Sequence, residues 1–281
     1  MELIEKLLKG AIDLHLHTSP DPYIQRSVNA LTAASQAKEL GMRALVLKSH
    51  DYPTAPVAQI VENIVEGVKV IGSLTLNYQV GGINPQAVEA SARIGAKVIW
   101  MPTFSSVPDR KRRNLEGGIS LLDKEGEILP QVKEVLALIK EFELVLCTGH
   151  ISRRELFALI AEALSMGLRR LIITHPLTES VGEPLDLQIQ KELADKGAFI
   201  EHCLYPIMPL CGTLDPRKIV EAIKYVGVEK CVLSTDLGQI NNPTPAEGMR
   251  IMIALMLNCG LKEQELEILL KKNPAILLNL E

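Results

Sequence analysis

Eight short, almost wholly apolar runs recur along this 281-residue chain, starting at Ile12, Ala44, Val70, Val98, Leu144, Leu171, Phe199 and Cys231. Successive starts are 32, 26, 28, 46, 27, 28 and 32 residues apart, and the intervals carry helical patterns. These patterns span Ala30–Leu40, Ala55–Val65, Gln86–Ile94, Gln131–Phe142, Arg153–Met166, Leu187–Lys196 and Pro216–Val226. Several run into glycine, as at Leu40-Gly41 and Met166-Gly167, the usual helix stop. Runs without polar alternation, such as ALVL, KVIWM and RLIIT, belong in a parallel sheet covered on both faces. Eight βα units with right-handed crossovers close most simply into an α/β fold, the (β/α)8 TIM barrel, as one domain over residues 1–281. A doubly wound open sheet would instead gather functional residues at one switch point, whereas here they end nearly every strand.

Those residues are histidines. All six of them (His15, His17, His50, His150, His175 and His202) lie at the downstream end of an apolar run, the functional face of such a barrel. Neutral imidazole is the commonest protein ligand for metals, so a metal site is the first reading. His15 and His17 are two apart on one strand and share a face, and Asp13 has the same parity, placing it to orient a ligand. His150 ends the fifth strand, His175 the sixth, and Asp236 the eighth. Taken singly, each could be a cap or a core hydrogen-bonding residue; five at one level on unrelated strands point to a shared ion. On the second strand Lys48 and His50 share parity and should both face the barrel interior. Glu201 and His202 are neighbours, so only one of them faces the pocket unless the strand bends.

The 46-residue interval holds a long loop, Thr103–Pro130, after strand four, with RKRR at Arg110–Arg113 and a hairpin expected at Asp123–Gly126. It reads equally as a lid or substrate-binding element and as an insertion or oligomer contact. Beyond strand eight, Pro245–Leu257 supplies the last barrel helix, and Lys262–Leu270 with Pro274–Leu280 a short C-terminal helical cap.

A formal charge of −4 argues against a broad nucleic-acid surface, and RKRR alone reads as a solvated loop. No apolar run approaches the roughly 20 residues of a membrane span, and MELIEKLLKGAID is unlike a signal peptide. Five cysteines (Cys147, Cys203, Cys211, Cys231, Cys259) show no CxxC and no disulfide framework, so the expected setting is a reducing cytoplasm. A homo-oligomer is left open; the expected partner is a small-molecule substrate.

The pattern of HxH at His15 and His17, His150, His175 and Asp236 resembles the amidohydrolase superfamily of metal-dependent barrels. The resemblance covers the whole chain. The tail NPAILLNL (Asn273–Leu280) is similar to the NPAxLLGL ending of many of these enzymes. DLHLHTSPD (Asp13–Asp21) and TGHIS (Thr148–Ser152) resemble an uncharacterised amidohydrolase-like branch. One departure stands out: dinuclear members carry a carboxylated lysine or a glutamate on strand four, and KVIWMPT offers neither. Lys48, as a bridging carbamate, or His50, as a further ligand, could substitute from strand two. His50-Asp51 also resembles the polymerase-and-histidinol-phosphatase phosphoesterases, which need more carboxylate ligands than can be placed here.

The resemblance implies a metal-dependent hydrolase acting on a small amide, lactone or ester, with a phosphoesterase or a Schiff-base lyase using Lys48 as alternatives. One or two divalent ions are expected, Zn²⁺ first, with Mn²⁺ or Fe²⁺ next. The expected metal residues are His15, His17, His150, His175 and Asp236, with Lys48 and His50. Asp236 would take and return the water proton, and His175 would act with it in catalysis. Arg26 and Tyr23 after the first strand, and Asn77 and Glu201 at strand ends, are the expected substrate contacts, Arg26 through a carboxylate or phosphate.

Overall fold

The eight apolar runs form eight parallel strands, hydrogen-bonded in chain order. They are β1 (Ile12–His17), β2 (Ala44–Lys48), β3 (Lys69–Thr75), β4 (Ala96–Trp100), β5 (Val145–Cys147), β6 (Leu171–Ile173), β7 (Phe199–Cys203) and β8 (Cys231–Ser234). The computed structural model describes residues 2–280. Each strand begins within two residues of the position expected from the sequence. The ring is closed just beyond β8, where Asp236 N donates to His15 O and His17 N donates to Leu237 O, both at 2.7 Å. The expected (β/α)8 barrel is therefore the fold.

After α1 (Glu2–Leu8), the helices α2 (Ala30–Glu39), α3 (Ala55–Ile64), α4 (Pro85–Arg93), α5 (Val107–Arg112), α6 (Pro130–Glu141), α7 (Arg153–Ser165), α8 (Leu187–Asp195), α9 (Pro216–Val226) and α10 (Pro245–Asn258) follow in chain order. Local chemistry starts them. Asn29 caps α2 through Thr32 N at 2.8 Å, and Ser152 with Glu155 forms a reciprocal capping box on α7. Among the described residues no helix is long and apolar enough to cross a membrane.

Strand parity sorts the side chains into two cores. Ile12, Leu14, Ala44, Val46, Val98, Trp100 and Val232 fill the barrel interior, while Leu16, Leu45, Leu47, Ile99 and Leu233 pack outward against the helices. Because Ala44 and Val46 point inward, Lys48 follows them into the barrel, as parity predicts. On β1 the register against β2 shifts between Asp13 and Leu16. The irregularity lets Leu14 face inward and still brings His15 and His17 to the mouth. It also overturns the expectation that Asp13 shares the histidines' face. Asp13 instead accepts from Thr235 Oγ1 at 2.5 Å and Thr235 N at 3.0 Å, pinning β8 to β1.

The opposite end of the barrel is plugged by α11 (Glu263–Glu267), a π-helical turn (Ile268–Lys272) and α12 (Asn273–Leu278). Ala275, Leu277 and Leu278 belong to the interior core. The cap is fastened by Asn273, whose Nδ2 donates to Val228 O at 2.8 Å and Cys231 O at 2.7 Å. Asn273→Ala should leave two carbonyls at the foot of β8 without this donor and cost about 1–3 kcal/mol. A lowered midpoint in urea unfolding, with metal uptake unchanged, is the expected result.

Candidate metal centre

The tightest cluster of donor atoms lies where β1, β7 and β8 meet. Asp236 Oδ1 is 3.0 Å from His15 Nε2 and 3.1 Å from His17 Nε2. On its other side His15 Nδ1 donates to Glu201 Oε2 at 3.2 Å. With that proton on Nδ1, the Nε2 lone pair of His15 faces a carboxylate oxygen, and two lone-pair atoms so close need a proton or a cation between them. Separations near 3 Å suit donors each about 2.1 Å from one ion. The chemistry of the donor set, two imidazoles and a carboxylate with a carboxylate behind, therefore fits a divalent metal. Among the described residues the donors mutually within 4.8 Å are a His15 ring nitrogen, Cys203 Sγ and an Asp236 oxygen; His17 joins this group through its contact with Asp236.

The electrostatics agree. Burial opposes the His15 imidazolium, yet Asp236, with support from Glu201, overrides both burial and Lys48 and lifts His15 to about 9. Burial would raise the Asp236 carboxyl, but His15 and His17 hold it well below its ordinary value. The remaining imidazoles are neutral. Burial first, then Arg26, lowers His17 to about 3, and burial first, then His150, lowers His175 to about 3. Without metal the cluster holds a proton in the place a dication would take.

Above this cluster opens a cavity of about 110 Å³, whose lining includes His17, Lys48, His50, His150, His175 and Asp236. Lys48 is buried, with Nζ 2.8 Å from His15 Nε2 and 4.9 Å above the Trp100 ring; burial lowers its pKa. His50 Nδ1 pairs with Thr103 Oγ1 at 2.8 Å, and its ring stacks between His17 and Phe104. His150 donates from Nδ1 to Asp109 Oδ2 at 2.6 Å, leaving Nε2 free. His175 and Asp236 have φ of 28° and 52°, left-handed conformations that few residues other than glycine adopt. Gly149, at φ 63°, must be glycine: a Cβ there would sit 2.3 Å from Met101 O.

The expected substrate contacts divide. Arg26 lines the cavity. Tyr23 does not; it is 74% exposed, because its loop turns outward on Asp21. Asn77 is buried and fully used, donating to His50 O and Thr103 Oγ1 and accepting from Thr103 N and Ser105 N. Glu201 serves His15 rather than a ligand in the cavity, and His202 lies outside the cavity lining, buried with both ring nitrogens unpartnered among the described residues.

Two site residues went unread in the sequence. Cys203 shares the parity of Glu201 on β7 and was legible on that ground. Asp109 was not, since nothing local pairs it with a histidine 41 residues away. It comes from the long loop after β4, which is packed down: Leu121 is fully buried, and a bridge between Leu122 and Ile128 forms the expected hairpin. Arg112 of RKRR reaches the carbonyls of Glu179 and Gly182 in the loop after β6, and Arg110 reaches Glu116 O.

Residues 10–201 match the family described as "Family of unknown function (DUF6282)". The chain belongs to that family. A comparison of the DUF6282 chain with curated proteins gives no match. Among solved structures it is similar to an amidohydrolase from Pseudomonas aeruginosa (TM-score 0.69, 13% identity, 99% of this chain and 97% of that one). It is also similar to the phosphotriesterase homology protein from Escherichia coli with phosphate in its active site (TM-score 0.64, 14% identity, 95% and 98%). A third is 2,6-dihydroxybenzoate decarboxylase from Rhizobium (TM-score 0.55, 12% identity, 97% and 99%). The amidohydrolase-superfamily resemblance seen in the sequence thus extends to the fold of the whole DUF6282 chain.

Two outcomes follow for metal content. The His15→Ala, His17→Ala double variant should retain no metal in elemental analysis after dialysis, whereas Glu201→Gln should weaken binding about 10–100-fold without abolishing it. Because a proton near pKa 9 on His15 competes with the ion, metal affinity should climb as pH rises toward 9 and level off above it. Calorimetry in buffers of different ionisation enthalpy reads the proton released; no release would contradict the competition.

Proposed function

We propose that this protein is a metal-dependent hydrolase of small amides, lactones or esters. The observation that carries the reading is Asp236 Oδ1 lying about 3 Å from two imidazole nitrogens at a cavity on the C-terminal face of the barrel. A divalent cation held by His15, His17 and Asp236 would supply a water with pKa near 7 and a Lewis acid for the substrate oxygen. Zn²⁺ suits imidazole with one carboxylate best, with Mn²⁺ or Fe²⁺ as alternatives.

The chain's own residues supply the rest. Glu201 fixes the His15 tautomer, which leaves the Nε2 lone pair to hold a cation. Asp236 is ionised and sits where it can take the proton of an attacking water and return it to the leaving group. His175 is neutral and lines the cavity beside His150, so its ring N–H can donate to a substrate carbonyl oxygen. Asp109 takes the Nδ1 proton of His150, so the Nε2 lone pair of that ring is left to accept a proton or bind a second ion.

Asp236→Asn should keep metal yet lower turnover about 10²–10⁴-fold. A substrate panel of amides, lactones, esters and phosphoesters, run before and after chelation, tests the class. Activity on a carbonyl substrate that falls with chelation and returns with Zn²⁺ or Mn²⁺ supports it; full activity after chelation refutes it. Lys48, a buried amine of lowered pKa on the cavity wall, favours one second reading, a Schiff-base lyase. Borohydride trapping of a carbonyl compound on wild type but not on Lys48→Met would establish it. Of the His50-Asp51 pair behind the phosphoesterase alternative, His50 lines the cavity and Asp51 does not; the phosphoester arm of the panel tests that alternative.

A further inference from the structure

Resting on that reading of the cavity as a substrate site, the geometry points to a substrate that carries a carboxylate, which Arg26 anchors. Arg26 lies on the segment that returns from β1 toward β8. Its backbone bridges Gln239, and Ser27 N donates to Gly238 O at 2.8 Å, which sets the side chain at the mouth beside Asp236. The side chain is only 2% exposed and lines the cavity. A guanidinium is a permanent cation with five N–H donors in a planar fork.

Asp21 satisfies one side of that fork. Arg26 Nε donates to Asp21 Oδ2 at 2.8 Å. Nη2 lies 2.7 Å from the same oxygen but aims no N–H along a bonding line, and it has no other partner among the described residues. A buried guanidinium nitrogen without a hydrogen bond is costly, so such donors normally meet an acceptor. The acceptor the cavity can admit is one on a ligand. Asp21 itself is fully engaged, accepting from Tyr23 N at 3.0 Å and Ile24 N at 2.8 Å as well.

The charge of the anion is constrained by the same pair. Asp21 already balances most of the Arg26 charge, and a dianionic phosphate would lie against the Asp21 carboxylate. A monoanionic carboxylate takes the open fork edge in bidentate fashion with less repulsion. The rest of the wall, Ile24, Phe104 and Val181, is apolar, while Tyr205 and Gln239 add polar edges. The matching molecule is a small acid: a carboxylate at Arg26, an apolar middle, and a scissile carbonyl over the His15–His17–Asp236 cluster.

Calorimetric titration of chelator-treated protein with benzoate, benzamide and inorganic phosphate tests the anchor apart from hydrolysis, since no turnover is read and no metal competes for the anion. Benzoate should bind about tenfold or more tighter than benzamide, which has the same shape without the charge. Arg26→Met should reduce that preference to about twofold or less, and Arg26→Lys, which keeps the charge but not the fork, should retain part of it. Asp21→Asn should tighten benzoate binding. Equal binding of benzoate and benzamide to wild type, or a preference that survives in a folded Arg26→Met, would overturn the assignment. Arg26-dependent binding of phosphate in preference to benzoate would overturn it in favour of a phosphate-bearing substrate. An Arg26-dependent carboxylate preference in a protein without hydrolytic turnover would fail the hydrolase reading alone, whereas hydrolysis confined to uncharged substrates would fail this one alone.

Discussion

The seam where β8 meets β1 is the contact on which the rest of the molecule turns. Asp236 N to His15 O and Leu237 O to His17 N are backbone bonds that close the ring, and they are made by the residues whose side chains converge on the candidate ion. Closing the barrel and assembling the donor set are therefore one event. Asp13 reinforces it from beneath, binding Thr235 and His15 N, and Gly238 allows it from above, because a Cβ there would lie 2.0 Å from His17 O. With the next glycine forced into contact and Asp236 itself in a left-handed conformation, the end of β8 has one way to leave the sheet.

The buried acids around this seam each have a fixed partner, and the partners decide their roles. Asp13 meets a hydroxyl and two backbone N–H groups, so it is structural; burial still leads over those bonds and raises it to about 6. Glu201 and Asp109 each meet the Nδ1 of a histidine, which leaves the Nε2 of both rings turned toward the centre. Asp236 meets two Nε2 atoms at once: a neutral His17 can donate to it from Nε2, but His15, whose Nδ1 proton goes to Glu201, needs a second proton or a cation at that contact. Two imidazoles oriented by carboxylates, one on β7 and one on the segment after β4, are what a site needs if its ligands are to stay in place while a substrate comes and goes.

Much of this is legible in the sequence. The βα rhythm fixed the strand order because near-continuous apolar runs, helical periods and glycine stops all agree, and Lys48 and His50 were placed correctly by simple alternation on β2. Alternation failed on β1, where the irregularity between Asp13 and Leu16 turns Asp13 away from the histidines, and such a shift leaves no mark in the spacing of polar residues. Tyr23 and Asn77 show the other limit. Both lie near strand ends, yet one is carried outward by an Asp21 turn and the other spends its whole amide on Thr103, Ser105 and His50. Position along a strand is written in the sequence; the use to which a polar side chain is put depends on loops that fold onto it from elsewhere.

Those loops explain why the mouth can be specific while the barrel stays generic. The loop after β4 sends Asp109 to His150, with its other oxygen accepting from Gly182 N at 3.1 Å, so one carboxylate joins the loops of β4, β5 and β6. Arg112 adds a second tie between β4 and β6, which is where the RKRR cluster finds its use: carbonyls of its own chain, not a polyanion. On the far side, the β1 segment bearing Arg26 is stitched to the loop of β8. The cavity is thus bounded by two cross-linked loop pairs, one holding His150 and the other holding the Arg26 guanidinium. Changes in either pair would reshape the cavity without disturbing the β1–β8 seam, so the lining and the donor cluster can vary independently in a fold of this kind.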